Sequence, residues 1–386
     1  MRFSLQRSVT WLLLAIVLSE GWGYVRAQYR TTRANKFELK NYGWQPLPSV
    51  QRGERLGPPS PLISIDHKDR VLVGFTVRES YSLAKREHPG LSFRVLRFTS
   101  EGKVDLTAEL PTQDNFNNGL YLGANDQAIA RANDTLQMLL ENEQSRKDTQ
   151  DWQPLAPCPW YCSVHQSPSR RTLILRTPDQ PYPDTSNSTY TILDTGSSLP
   201  RVTQTCSNMA FLGHIITDKF AYWTGAEGHE HFARRYRFCD VVHPEELPLG
   251  WGTLYALGDD AFLLFGADGD LRGSVKLVSA DGQVRFHHEM AKGVVPLDFP
   301  GARVASDELG DRFAFIVSTW RGGSHPLDIS GKRADRRIVV YSAVGQELAS
   351  VPVSMSYHRD FDFCLSPDGH SLAILEDDSL SVLRLD

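Results

Sequence analysis

Apolar residues recur along most of this chain in short runs, and a polar turn rich in Asp, Gly or Ser precedes each run. Alternating or continuous apolar runs between such turns are typical of β-strands. Helical periodicity is weak, and it is confined to a stretch around residues 135–142. The turn-and-strand unit occurs seven times, at residues 67–75, 123–131, 167–175, 217–223, 258–265, 308–317 and 366–375.

A second hairpin lies inside several of these units. Its four copies, each with a central glycine, are residues 93–110 (Gly102), 189–203 (Gly196), 275–290 (Gly282) and 337–353 (Gly345). Glycine supplies the positive φ that tight hairpins require. Two hairpins per unit make one four-stranded blade, and the spacing between units suits such a blade. The pattern therefore predicts an all-β protein, a β-propeller of about seven blades over residues 60–386.

The seventh unit holds only three predicted strands, at residues 361–365, 371–376 and 379–385. A propeller ring needs a partner for the open edge of its last blade, because an exposed edge is a template for aggregation. The natural donor is the N-terminal segment, residues 28–59. We therefore predict that a strand from this segment closes the ring.

The sequence of residues 366–385, SPDGHSLAILEDDSLSVLRL, resembles a blade of the WD40-like and TolB-like propellers. Blades of that superfamily carry Ser-Pro-Asp-Gly, then an apolar strand and a second short strand. The other six units keep only the turn and the strand. The resemblance implies a propeller fold and a general role in binding, and it assigns no catalytic or ligand-binding residue.

The first 27 residues have the features of a signal peptide. Arg2 and Arg7 precede an apolar run at residues 9–18, and Val25-Arg26-Ala27 places short side chains before the expected cleavage point. The run is too short to cross a bilayer, which takes about 20 apolar residues. An uncleaved membrane anchor is the alternative reading. We predict export to the periplasm or the cell exterior, with a mature chain that begins near Gln28.

Charge and composition narrow the partner classes. The formal net charge is −5 and no basic stripe is present, so nucleic-acid binding is not expected. No later apolar run is long enough to span a membrane, and a monomer is expected. The chain has five cysteines: Cys158, Cys162, Cys206, Cys239 and Cys364. Outside the cytoplasm these cysteines permit one or two disulfides. The sequence does not determine which cysteines pair. Cys364 lies in an apolar strand and is the expected buried thiol.

The sequence Asp194-Thr-Gly-Ser-Ser resembles the signature of aspartic proteases. That chemistry needs a second carboxylate close to the first, so that one of the two keeps its proton. No second Asp-Thr-Gly or Asp-Ser-Gly follows downstream. The motif also occupies a hairpin turn, in the position that Ser100, Ala280 and Ala343 hold in the sister copies. We predict that Asp194 is a turn residue without a catalytic role.

Two groups of histidines are possible metal ligands. His229 and His231 lie with Glu227 and Glu230 in the sequence Glu-Gly-His-Glu-His, and His287 and His288 precede Glu289. A zinc site needs a third or fourth ligand at a suitable spacing, and none is evident. Asp268-Gly-Asp270 has too few oxygen ligands for calcium. We predict no metal, cofactor or catalytic residue.

Three long polar connections, residues 79–92, 141–157 and 321–336, are where binding is expected on a rigid scaffold. Arg321-Gly-Gly-Ser-His325 could cradle an anion, and a flexible connector is the favoured alternative. The closely spaced Cys158 and Cys162 suit a small structural loop better than a redox site, which has a shorter spacing.

The sequence has a complete set of propeller repeats but no recognisable group of catalytic residues, and this combination favours a non-enzymatic role. We predict an exported propeller that presents a binding face to a protein or saccharide partner. The alternative is a propeller hydrolase or lyase, in which acids from several blades converge on the central channel. A structural component of the cell envelope is a third possibility.

Overall fold

The structure is a computed structural model, and it describes fifteen segments of the chain. They are residues 32–44, 61–78, 91–112, 118–140, 151–179, 187–197, 199–207, 215–227, 230–240, 242–250, 252–267, 272–296, 304–321, 332–354 and 361–385. Within these segments no helix is long and apolar enough to cross a membrane. The predicted signal peptide and its cleavage site lie outside the described residues.

Almost all regular structure in the described residues is β-strand. The strands are β1 (Thr32–Glu38), β2 (Ile63–Ile65), β3 (Val71–Arg78), β4 (Leu91–Phe98), β5 (Val104–Thr112), β6 (Gly119–Leu122), β7 (Ala128–Ala132), β8 (Thr135–Leu140), β9 (Asp151–Pro157), β10 (Ser163–Gln166), β11 (Thr172–Pro178), β12 (Ser188–Asp194), β13 (Arg201–Cys206), β14 (Ile215–Ile216), β15 (Phe220–Glu227), β16 (Glu230–Arg237), β17 (Glu245–Leu247), β18 (Thr253–Gly258), β19 (Ala261–Ala267), β20 (Gly273–Ser279), β21 (Val284–Glu289), β22 (Val294–Pro296), β23 (Val304–Ser306), β24 (Arg312–Arg321), β25 (Lys332–Ser342), β26 (Glu347–Pro352), β27 (Phe361–Leu365), β28 (Ser371–Glu376) and β29 (Ser379–Arg384). One 3-10 helix spans Leu39–Tyr42.

The strands form seven antiparallel sheets, so the prediction of a seven-bladed β-propeller is confirmed. Blades 1 to 5 are β2–β5, β6–β9, β10–β13, β14–β17 and β18–β21. Blade 6 is β22–β26, where β22 and β23 both pair with β24 and together form its inner strand. Blade 7 is β27–β29 with β1.

The hydrophobic core consists of seven clusters, one between each pair of neighbouring blades. The central strands contact apolar side chains of the blades on both sides, which explains their continuous apolar runs. β7, for example, is buried at all five positions. The outer strands face water and are mainly polar, as in β13. A continuous apolar run therefore indicates a central strand of a blade, and a mainly polar strand indicates the outer strand.

The first and second strands of five blades are joined by turns of the same geometry. The fourth residue of each turn has a left-handed backbone, with φ from 55° to 73°, at Asp69, Asp126, Arg170, Gly310 and Gly369. Its amide donates to the carbonyl of the first residue of the turn. Side chains at that first position brace the turn: Asp66 accepts hydrogen bonds from the amides of Lys68 and Arg70. Turn chemistry thus accounts for the repeated Asp, Ser and Gly residues.

The N-terminal strand closes the ring, as predicted. β1 pairs antiparallel with β29 and becomes the fourth strand of blade 7. The residue that follows, Leu39, has no exposed surface, and its amide donates to the carbonyl of Asp378. Phe37 stacks on Phe98 of blade 1, with 4.9 Å between the ring centroids. The segment therefore joins blade 7 to blade 1 as well as completing a sheet.

The hairpins between third and fourth strands are also where the sequence places them. Gly102, Gly282 and Gly345 have φ near +84°, as the tight turn requires, but Gly196 does not have a positive φ. The turn after Asp194 is longer, and Gly196 in it does not repeat the left-handed glycine of the other hairpins. The prediction for Gly196 is therefore wrong.

The predicted alignment of Asp194 with Ala280 and Ala343 is wrong by one residue. Thr195 donates its amide to Arg171, as Ala280 does to Asp260 and Ala343 to Asp311, so Thr195 is the counterpart of those alanines. Asp194 is the last residue of β12, and its counterparts are Ser279 and Ser342, which end β20 and β25.

Several finer predictions are corrected by the strands. The weakly helical stretch at residues 135–142 begins with strand β8, whose Leu136 packs towards blade 3 and whose Leu139 packs towards blade 1. Parts of the three long connections are strands as well: β4 begins at Leu91, residues 151–157 are β9, and β25 begins at Lys332. The rest of these connections lies outside the described residues. This includes all of the candidate anion-binding motif Arg321-Gly-Gly-Ser-His325 except Arg321.

Four of the five cysteines form two disulfides. Cys158–Cys162 closes the connection between blades 2 and 3, with 5.3 Å between Cα atoms. Cys206–Cys239 joins the outer strand of blade 3 to blade 4, with 5.6 Å between Cα atoms. Both separations lie in the usual range for disulfides. Cys364 takes part in neither and is buried, as predicted.

Candidate functional site

The strand order defines two faces of the ring. One face carries the connections from first to second and from third to fourth strands, and we call it the turn face. The other carries the connections from second to third strands and between blades, and we call it the loop face. Most of the turn face falls within the described residues, whereas many connections of the loop face do not.

A cavity of about 560 Å³ occupies the central channel. Every blade contributes residues of its first strand to the wall, which includes Ile63, Leu120, Gln166, Ile216, Tyr255, Ala305 and Leu365. β14 has only two residues, so Tyr222 and Trp223 of the second strand of blade 4 also reach the cavity. Burial raises the pKa of both Tyr222 and Tyr255 to about 12, so both phenols are neutral at ordinary pH.

A histidine links three blades at the turn-face end of the channel. His67 of blade 1 places Nδ1 2.8 Å from Oδ1 of Asp126 in blade 2, and Nε2 3.1 Å from Oε2 of Glu308 in blade 6. A carboxylate only accepts hydrogen bonds, and a neutral imidazole has a single N–H. Both contacts are therefore satisfied only when His67 carries two protons. The site is a carboxylate–imidazolium–carboxylate bridge.

Arg170 of blade 3 crosses the same end of the channel. Its Nη1 donates to the backbone carbonyl of Ile65 in blade 1 at 2.6 Å, and its Nε lies 4.0 Å from Oε1 of Glu308. The residue is only 8% exposed. Its backbone is held by a hydrogen bond from its own amide to Ser167 and by one from the Thr195 hydroxyl to its carbonyl. Arg170 and His67 thus connect four blades around the channel end.

The bridge at His67 predicts a pH-dependent stability. Partial burial disfavours the imidazolium, but the two carboxylates outweigh it and raise the pKa of His67. The stabilisation is complete below the pKa of an ordinary histidine, about 6.5, and is lost as the pH rises through the higher pKa of the folded state. Unfolding free energies measured in urea from about pH 5 to about pH 8 should therefore fall with pH.

The substitution His67→Gln should remove this part of the pH dependence, because Gln does not titrate. His287→Gln is the matched control, since His287 is exposed on the outer strand β21. An equal pH dependence in His67→Gln and the wild type would contradict the imidazolium bridge.

The turn face exposes a series of aliphatic side chains. Eight large hydrophobic residues are exposed among the described residues, and six of them lie in or directly beside turn-face connections of blades 3 to 6. These six are Leu199, Val202, Val242, Val284, Leu309 and Val344. Leu309 is 82% exposed and Val344 is 85% exposed. These exposed side chains make the described turn face a candidate interaction surface.

The connections of blades 4 to 6, which carry Val242, Val284, Leu309 and Val344, are acidic. Within blades 4 to 6 the turn-face connections have Lys219 as their single Lys or Arg residue. Their acidic residues are Asp218, Asp240, Asp259, Asp260, Asp281, Asp307, Glu308 and Asp311. The hydroxyl of Ser279 and the amide of Gln283 lower the pKa of Asp281, so that carboxylate stays charged. The surface thus combines exposed aliphatic groups with negative charge, and we call it the acidic aliphatic surface.

The residues singled out by sequence motifs have local roles. Oδ1 of Asp194 accepts a hydrogen bond of 2.8 Å from the amide of Gly196, as predicted for a turn residue. His287 and His288 lie on β21, where His288 packs against Tyr341. His229 lies outside the described residues. Within the described residues no three His, Cys, Asp or Glu side chains are grouped to hold a metal ion.

Sequence motifs missed the residues at the channel end. His67 and Glu308 are second residues of their turns, while Asp126 and Arg170 are fourth residues. An alignment of the seven turns would have placed these side chains at equivalent positions near the ring axis. The sequence thus contained the equivalence of these turn positions. It did not indicate which turns contact one another across the channel.

No protein-family model matches the chain, and no curated protein sequence matches it. The fold is similar to the WD40 domain of coronin from Toxoplasma gondii, at 10% identity over 93% of this chain and 87% of that chain, with a TM-score of 0.46. The C-terminal WD40 domain of Sif2 matches at 13% identity over 85% and 99%, with a TM-score of 0.44. A chain of the mitotic checkpoint complex matches at 10% identity over 88% and 95%, with a TM-score of 0.43. The propeller assignment rests on the seven sheets themselves.

Proposed function

We propose that the protein is an exported, non-enzymatic scaffold that binds a protein partner on its acidic aliphatic surface. The observation that carries this proposal is the grouping of six exposed aliphatic side chains on one face of a closed ring. Aliphatic groups favour a protein partner over a saccharide, because they gain from apolar burial and offer few hydrogen bonds.

The charge of the surface indicates the kind of segment it receives. The exposed Asp311 follows Leu309 by two positions, and the exposed Asp281 lies in the turn between the third and fourth strands of blade 5. Complementary charges speed association and exclude partners of like charge. The proposed partner therefore presents apolar side chains flanked by Lys or Arg. Its binding weakens as salt concentration rises.

A propeller hydrolase would use carboxylates at the channel. Asp126 and Glu308 do converge there, but each accepts a hydrogen bond from His67. We assign these carboxylates to the bridge between blades, so no carboxylate pair among the described residues of the channel supports the enzymatic alternative.

The proposed function is tested by removing apolar surface from each face in turn. The double variant Leu309→Ser/Val344→Ser and the loop-face control Trp160→Ser are used as affinity baits in the host's exported fraction. A partner of the acidic aliphatic surface is retained by the wild type and by Trp160→Ser, and its affinity for the double variant falls about tenfold or more, as for hot-spot residues. Equal retention by all three baits would contradict the assignment of this face.

Export is the second part of the proposal. Two disulfides among five cysteines suit an oxidising compartment outside the cytoplasm. The features of residues 1–27 suit a cleaved signal peptide. N-terminal sequencing of the protein from its host should find a chain that begins near Gln28, and a soluble chain that retains Met1 would contradict this proposal.

A further inference from the structure

The cavity in the channel contains a single charge. Its described lining includes no Asp, Glu, Lys or His, and Arg170 is its one charged side chain. The other polar groups are neutral: they belong to Ser64, Gln166, Thr224 and similar residues. Because one cation faces an otherwise uncharged enclosure, the electrostatics favour an anion over a neutral or cationic ligand.

The guanidinium of Arg170 is incompletely paired within the protein. A guanidinium has five N–H donors in a planar fork, and the described contacts of Arg170 occupy one of them with the carbonyl of Ile65. Among the described residues, the nearest carboxylate oxygen is Oε1 of Glu308, at 4.0 Å, which is beyond hydrogen-bonding distance. Oε1 of Glu308 has itself no hydrogen-bond partner in the described residues.

Burial lowers the pKa of Arg170, although nearby Cys364, Glu308, Asp126 and Asp66 oppose this. The protein therefore leaves part of the desolvation of this charge uncompensated. A bound anion would supply the missing compensation.

The walls of the cavity suit an apolar body. They include Ile63, Leu120, Leu254, Val304 and Leu365, which belong to five different blades. A cavity of about 560 Å³ is in the size range of small-molecule sites, which span about 300–1,000 Å³. One guanidinium matches the charge and the planar geometry of one carboxylate. A phosphate would bring more charge than this single cation balances.

We propose that the channel cavity binds a small amphipathic carboxylate. Its carboxylate accepts hydrogen bonds from the guanidinium of Arg170, and its apolar chain lies against the inner strands. The proposal is independent of the protein partner on the acidic aliphatic surface, because that surface does not include the cavity lining.

The test compares octanoate with octan-1-ol, which has the same chain and no charge. Isothermal titration calorimetry of the full mature protein should show octanoate binding at least about tenfold more tightly than octan-1-ol, as expected for a charge-assisted contact. Arg170→Gln should remove that preference. Arg171→Gln should keep it, because this neighbouring arginine is exposed and is not part of the lining.

Two further measurements do not depend on the folding of Arg170→Gln. Ser64→Phe places a large side chain at the cavity wall and should abolish octanoate binding while Arg170 is retained. In the wild type, octanoate should slow the reaction of iodoacetamide with Cys364, the one cysteine outside the two disulfides and part of the lining. Equal affinity for octanoate and octan-1-ol, undiminished octanoate binding by Ser64→Phe, or no octanoate binding at all would overturn the proposal.

Discussion

A chain that lacks residues 32–44 should lose cooperative unfolding in urea. The deletion removes the fourth strand of blade 7, leaves the edge of β29 unpaired, and takes away Leu39, which has no exposed surface. It also removes the contact of Phe37 with Phe98 in blade 1. The segment is also part of the apolar cluster between blade 7 and blade 1, so its loss weakens the interface at which the ring closes.

The point substitution Leu39→Ala measures the same effect on an intact ring. Burial of Leu39 predicts a loss of about 2–5 kcal/mol in the free energy of unfolding. Leu309→Ala is the matched control, since Leu309 is 82% exposed, and its effect should stay within about 0.5 kcal/mol. A deletion variant with wild-type cooperativity and urea midpoint would show that β1 does not close the ring.

The second large effect is expected from Asp362→Ala. Asp362 is 3% exposed, and its Oδ2 accepts hydrogen bonds from the amides of Leu62 at 2.7 Å and Ile63 at 3.2 Å. Its Oδ1 accepts one from the amide of Phe363 at 2.9 Å. The carboxylate thus ties blade 7 to the first strand of blade 1, and its loss leaves buried donors without a partner. Urea unfolding should show a loss of about 3 kcal/mol.

Asp362→Asn keeps one carbonyl acceptor and should lose less stability than Asp362→Ala. Asp368→Ala, at an exposed turn of the same blade, is the matched control. The hydrogen bonds of Asp368 are local, from Ser366 and His370, so its loss should cost about 1 kcal/mol or less. Equal effects at positions 362 and 368 would mean that the contact between the blades contributes little.

The architecture could be predicted because each blade encodes its own strands and turns. Asp66, Ser366 and the left-handed Gly369 act within a few residues of their positions, so a local pattern records them. The closing strand was predictable for a related reason: the last repeat lacked a strand, and an edge needs a partner. Gly196 shows the limit of this approach, since a longer turn replaced the tight one without changing the surrounding pattern.

The candidate sites could not be predicted in the same way. The bridge at His67 joins blades 1, 2 and 6, and Glu308 lies 241 positions away from its partner. Exposure also depends on tertiary packing: Leu309 and Val344 are as apolar as core residues in the sequence, yet both point to solvent. The single charge in the cavity became visible only when all seven inner strands were placed around one channel.

Site-specific photo-crosslinking in the host tests most directly whether the acidic aliphatic surface is the binding face. A photoreactive amino acid replaces Val344 on the turn face in one strain and Trp160 on the loop face in another, both exposed positions. The account predicts a discrete adduct with a protein partner at Val344, weakened by added salt, and none at Trp160. A discrete adduct at Trp160, with none at Val344, would contradict it.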